Sequence, residues 1–266
     1  MTKYTTTDVE KMTPKEYRSI VRRGEFTGSV LRACRGYVMA DVAIVPKEYA
    51  FEFFLFCHRN PRVCGVLDVT EPGSPHPLSV APDADLRTDL IRYQIYKDGK
   101  VVDEPTDITD YWRDDLVAFL NGCSGSFDWS LQASNVHYRT IGAYRTNIRC
   151  VPADPFRGNM VVSCRLFESA HDALRAIQIT SRHLRAHGPP VHVGDPTLIG
   201  IEDLNRPEMS LVEEVVPQQP KEIPMFWACG ATLRNAAAEA KLPFMIVNYP
   251  AGGFVTDKLS EELAIL

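Results

Sequence analysis

The chain has 266 residues, 45% of them hydrophobic and 24% charged. That is a globular composition with apolar material for one large or two modest cores, and it excludes a disordered or tail-like protein. Lys and Arg number 29 against 34 Asp and Glu, and the basic residues are scattered, so the electrostatic footprint of a nucleic-acid binder is missing. The most apolar stretch, Tyr49–Cys57, is nine residues long and contains Glu52, well short of the ~20 that cross a bilayer. No apolar run follows Met1, so no secretory signal and no membrane partner are expected. The seven cysteines form no Cys-x-x-Cys pair. They read as reduced thiols of a cytoplasmic protein, without excluding an organelle matrix.

In chain order, Thr13-Pro14-Lys15-Glu16 predicts a capped helix start, with Tyr17, Ile20 and Val21 on one face. Val38–Val45 is an apolar, β-branched run and predicts a buried strand. Lys47–His58 follows Pro46 as a helix that Asn60-Pro61 ends. Val66–Thr70 predicts a short strand running into the turn Glu71-Pro72-Gly73. The proline- and aspartate-rich stretch from Ser74 to Thr88 predicts a surface loop. Asp98-Gly99 between Tyr93–Tyr96 and Val101-Val102 is a strong hairpin signal. Thr109 or Asp110 then caps an expected helix through Trp112, Leu116, Phe119 and Leu120, and a second helix is expected after Cys123-Ser124.

Tyr144–Cys150 and Met160–Leu166 predict strands, and Ser169 caps a helix to about His183. Strands are expected at Val191–Val193, Ile223–Cys229 and Phe244–Val247, with a surface excursion over Glu202–Lys221 and a helix capped by Thr232 after Gly230. No internal repeat is visible. Strands alternating with helices predict an α/β protein. The expected form is a larger three-layer α/β/α sheet domain (1–135 and 188–266) with a smaller two-layer α+β domain (136–187) inserted.

Neither a P-loop nor a dinucleotide fingerprint is present, nor a Gly-x-Ser-x-Gly elbow, which argues against ATP-driven ligation and serine-hydrolase chemistry. His183, His187 and His192 could hold zinc only if aligned, and Gly188-Pro189-Pro190 breaks that alignment; no metal is expected. His192 stands before Gly194-Asp195-Pro196, where His192 and Asp195 could act as a general acid/base pair. An Asx turn made by Asp195 is the competing explanation. Cys229-Gly230 precedes a helix start, so Cys229 is a candidate nucleophile and the Gly230 amide a candidate oxyanion donor. Ser124 occupies the same kind of turn. Glu71 is a reserve carboxylate at a strand end. Arg145, with Asn147, and Arg182 offer side chains suited to a carboxylate.

Many of these segments together resemble one family. They include Pro46-Lys47-Glu48-Tyr49-Ala50-Phe51, Leu67–Gly73, Trp112–Leu120, Tyr144-Arg145-Thr146-Asn147, Gln178–Arg182, Val191–Pro196 and Phe226–Gly230. The resemblance is to the hydro-lyase family, also called the D-glutamate cyclase family, and runs from about Val30 to Asp257. It implies a two-domain α/β fold and a lyase that releases water, with cyclisation of D-glutamate to 5-oxo-D-proline as the best-defined activity. The family often reads His-x-Pro-Gly-His-Met near its C-terminus. Here Asn248 and Gly252 stand at the two histidine positions.

The expected activity is thus a cofactor-independent lyase acting on a small acidic metabolite. His192 and Asp195 would move protons, Arg145 or Arg182 would hold the substrate, and amides near Gly230 or Ser124 would stabilise the oxyanion. The alternative is a non-catalytic binding protein for a small carboxylate. A homodimer is compatible with either reading.

Overall fold

A computed structural model describes residues 3–212 and 214–265. Two short helices open the chain, α1 (Thr6–Glu10) and α2 (Pro14–Arg22). Each begins in a capping box, made by Thr5 with Asp8 and by Thr13 with Glu16. Strand β1 (Tyr37–Pro46) is buried almost throughout and leads into α3 (Ala50–Arg59). There follow β2 (Val66–Val69), β3 (Tyr93–Lys97), β4 (Lys100–Asp103), β5 (Leu116–Gly122) and α4 (Gly125–Ala133). The remainder is β6 (Arg139–Arg149), β7 (Asn159–Phe167), α5 (Ala170–Thr180), β8 (His192–Val193), β9 (Met209–Ser210), β10 (Ile223–Ala228), α6 (Ala231–Ala240), β11 (Met245–Asn248) and β12 (Phe254–Leu259).

The strands form two sheets. The larger runs β2-β5-β1-β11-β3-β4, with β12 also paired to β1; the smaller runs β8-β10-β7-β6-β9. Every pairing among the described strands is antiparallel. The smaller sheet draws β8, β9 and β10 from beyond residue 187, so sheet membership does not follow the 136–187 division. Between the sheets lies an apolar core in which Phe53, Phe119 and Phe156 meet edge to face, at 4.8 and 5.0 Å from the Phe53 ring. Helix α6 packs Leu233, Ala236 and Ala237 into that core.

The other face of the larger sheet shows why a three-layer α/β/α arrangement does not describe it. Among the described residues, no α-helix covers Val42, Ile44, Ala118 and Leu120 there. Val80, Ala81, Ala84, Leu86 and Leu90 do so instead, so the stretch expected as a surface loop is the cover of that face. It is tied down by Asp89, which is fully buried and bonded to Arg22 of α2 (Nη2 to Oδ2, 2.7 Å).

The expected helix over Thr109–Leu120 is a 3-10 turn followed by strand β5. Leu116–Leu120 is buried on both faces, against the inter-sheet core and against the loop cover. It therefore reads as an unbroken apolar run rather than an alternating one, and such a run does not separate strand from helix. Thr232 lies inside α6, whose N-cap position is Gly230. The Asp98-Gly99 turn has both residues at positive φ (51° and 77°), as a two-residue hairpin requires.

Candidate active site

The middle of β1 carries one charge, Asp41, in an otherwise apolar strand. Its side chain enters the space between the two sheets. Two strand-to-helix junctions converge on it there: Cys123 follows β5 and precedes α4, and Cys229 follows β10 and precedes α6. Asp41, Cys123, Ser124, Ser163, Cys229 and Arg234 all line one cleft. Its remaining walls are apolar, including Leu31, Met39 and Leu211. The cleft is small, with a cavity volume of about 40 Å³.

Asp41 is held at close quarters. Asn248 donates from Nδ2 to its Oδ1 at 3.1 Å, while the Asn248 Oδ1 accepts from the Val42 amide at 2.8 Å. A Cβ placed on Gly230 would lie 1.7 Å from the Asp41 Oδ2, so only glycine lets that backbone pass the carboxylate. Burial raises the Asp41 pKa above the ordinary carboxylate range, opposed by the Arg234 charge and by hydrogen bonds from Asn248 and the Cys123 thiol. Burial also raises both thiols, Cys123 strongly, and the Asp41 charge pushes in the same direction. Asn121, directly across from Asp41 on β5, is fully buried with neither side-chain atom hydrogen-bonded. Opposite residues of paired strands share a face, so Asn121 presents a free donor and acceptor beside Asp41.

Arg234 is the cation of this cleft. It sits in the first turn of α6, where the helix dipole disfavours positive charge. Among the described residues it has no carboxylate within 4 Å, and its one side-chain bond goes to the Met209 sulfur at 3.5 Å. A guanidinium so placed is ready for an external anion.

Of the residues singled out from sequence, Ser124, Cys229 and Gly230 are brought together here. The others are not. His192, on edge strand β8, bonds through Nε2 to the backbone oxygen of Asp195 at 2.7 Å, not to its carboxylate. That carboxylate accepts from the Thr197 amide and hydroxyl at 2.9 and 2.7 Å, the Asx-turn role. Arg145 is exposed and paired with Glu208 at 3.3 Å, and Asn147 is exposed beside the turn at Gly200. Arg182 donates to the Ile265 carbonyl at 3.0 Å, and Glu71 is exposed beyond β2. Sequence reading passed over Asp41, Asn121 and Arg234. The available signal was a lone carboxylate inside a strand buried on both faces, since a buried charge needs a reason.

A wider groove of about 600 Å³ runs along the smaller sheet past Arg139, Asp172 and Glu222. Its charge is already matched, because Arg139 grips Glu222 with bonds of 2.6 and 2.5 Å. Among the described residues, no group of three or more His, Cys, Asp or Glu is placed to hold a metal ion. No helix among them is long and apolar enough to cross a membrane.

Fold and cleft together define a mixed α/β protein whose two antiparallel sheets enclose a buried carboxylate, two thiols and a guanidinium with no carboxylate partner among the described residues. Residues 117–257 match the family model described as D-glutamate cyclase. The chain is 44% identical to a Bacillus licheniformis protein named "Putative hydro-lyase", over 97% of this chain and 99% of that one. It is 44% identical to a Geobacillus kaustophilus protein of the same description, covering 96% and 98%. With the corresponding Bacillus subtilis protein it shares 43%, covering 96% and 100%. The chain belongs to this D-glutamate cyclase, or hydro-lyase, family.

Proposed function

We propose that the protein is a lyase releasing water from a small acidic substrate held in the Asp41 cleft, and that D-glutamate, cyclised to 5-oxo-D-proline, is the first substrate to test. The observation that carries this reading is the pairing in one cleft of Arg234, a guanidinium with no carboxylate partner among the described residues, and Asp41, a carboxyl group that burial biases toward its protonated form. Arg234 supplies the anchor for the substrate α-carboxylate. Asp41, in the same cleft, is the proton donor and acceptor.

In the cyclisation the amino nitrogen attacks the γ-carboxyl carbon, a C–N bond forms and a C–O bond breaks. The two protons the ammonium group loses leave on the departing oxygen as water, so no net proton is consumed. A group able to take a proton from nitrogen and return one to oxygen meets that need, and a raised carboxyl pKa suits it at neutral pH. In this reading the unpaired Asn121 amide and the backbone at the start of α4 and α6 stabilise the developing oxyanion.

Incubation with D-glutamate, followed by mass spectrometry of 5-oxoproline, tests the reading. Turnover that falls at least about 100-fold in Asp41→Asn supports it. Saturable binding of D-glutamate without turnover would favour instead a non-catalytic carrier of small carboxylates.

A further inference from the structure

The two cysteine junctions are copies of one another. Met39 of β1 accepts, through its carbonyl, the Cys123 amide at 3.0 Å and the Ser126 hydroxyl at 3.2 Å; its amide donates to the same hydroxyl at 3.0 Å. Val161 of β7 does the same with the Cys229 amide at 2.9 Å, and with the Thr232 hydroxyl at 3.4 and 2.9 Å. The strand registers agree as well, Ala40 with Gly122 and Val162 with Ala228. Asp41 and Ser163 then occupy matching positions, two residues beyond Met39 and Val161, and both face the cleft.

The helices exchange partners across this repeat. Helix α4 follows the larger sheet but packs Phe127 and Leu131 on Met225 and Trp227 of the smaller one. Helix α6 follows the smaller sheet but packs on Ala43, Val45 and Phe119 of the larger. Mutual exchange of this kind is the signature of a two-fold relation. Its consequence is that two thiols, each at the start of a helix, reach one cleft from opposite sheets.

We propose that Cys123 and Cys229 form a two-thiol proton-transfer pair acting on opposite faces of a carbon next to the carboxylate of a bound small acid. This rests on the reading of the cleft as a site for such acids and adds carbon-acid chemistry to it. Cys123 and Asp41 line the same cleft, and Asp41 in its ionised form can take the thiol proton and leave a thiolate. The thiolate removes the α-hydrogen, and the C–H electron pair passes into the carboxylate as an enediolate beside Arg234. The Cys229 thiol then supplies the proton of the new C–H bond on the other face and is left as thiolate. Nothing is oxidised or reduced, and the carbon is inverted.

The test is incubation of the wild-type protein in D₂O with D-glutamate, L-glutamate, 5-oxo-D-proline and D-malate, each followed by proton NMR at the α-carbon and by chiral chromatography. The expected result is deuterium incorporation with inversion for at least one of the four. Cys123→Ser and Cys229→Ser should each lose inversion at least about 100-fold, and the double variant should lose exchange. The corresponding Cys→Ala variants, with thermal melts, separate lost chemistry from lost folding. No exchange above buffer with any of the four, or inversion kept in either folded single variant, overturns the pair. Exchange and cyclisation are read separately, so a protein that forms 5-oxoproline without α-exchange refutes the thiol pair and leaves the lyase reading standing.

Discussion

The Asp41 carboxylate rests against the α-carbon of Gly230, so close that a methyl group there would fall 1.7 Å from Oδ2. A β1 residue and a helix N-cap from the other sheet therefore share one space. Gly230→Ala should displace the carboxylate and cost about 1–3 kcal/mol of stability, as overpacking does. Combining it with Asp41→Ala should recover most of that loss. Urea denaturation of the two single variants and the double one measures the coupling.

Asp41 also gives stability a pH dependence of known sign. Its pKa is raised on folding, so its contribution is fully present below the unfolded carboxylate value, near 4, and is lost as pH rises through the folded value. Above the unfolded value, the wild-type chain must on folding either bury that charge or take up a proton, and either costs stability. Asp41→Asn should therefore melt higher than wild type at pH 7, with the gap closing toward pH 4, even as activity falls. Calorimetric melts across that range check the trend.

Arg234 should act through substrate affinity. Arg234→Met is expected to raise KM for the acidic substrate at least tenfold, in line with loss of a charge-assisted contact of about 1.5–3 kcal/mol. Arg182→Met should change KM less than threefold, because Arg182 is occupied with the Ile265 carbonyl outside the cleft. Steady-state kinetics on both variants decides which arginine binds substrate.

His187 predicts the acid limit of the fold. It is fully buried, its Nδ1 bonds the Arg62 carbonyl at 2.9 Å, and burial lowers its pKa to about 4. A depressed folded pKa means stability that is complete above the unfolded value, near 6.5, and lost as pH falls toward 4. The loss amounts to roughly 3 kcal/mol. Asn suits the left-handed backbone at this position (φ 76°). His187→Asn should thus flatten the dependence of urea stability on pH between 6.5 and 4.

Much of the element order is legible in the residues. The capping box at Thr13, the Asp98-Gly99 hairpin and the β-branched run through Val42–Val45 each state their structure locally. What escapes is whatever depends on the second face of a strand. Leu116–Leu120 lacks alternation because both of its faces are buried, and Val80–Leu90 resembles a surface loop because its apolar residues are spaced for no regular element. At the site, Cys229, Gly230 and Ser124 were visible as helix-start residues. The repeat that pairs Cys123 with Cys229 was not, because little beyond a cysteine and a hydroxyl three residues on is shared between Cys123–Ser126 and Cys229–Thr232. Asp41 and Asn248, 207 residues apart, meet only through the pairing of β1 with β11.

That pairing shapes how the chain must be made. Strand β1 is complete by Pro46, and β5 can cover one of its edges midway through synthesis. Its other edge waits for β11 and β12, which end at Leu259. A nascent chain that has emerged only as far as α6 already contains both thiols, yet it presents a ten-residue apolar strand with one open side. Such an edge is a template for pairing between chains. Products truncated before Met245 should accordingly accumulate in inclusion bodies rather than persist as soluble, inactive protein.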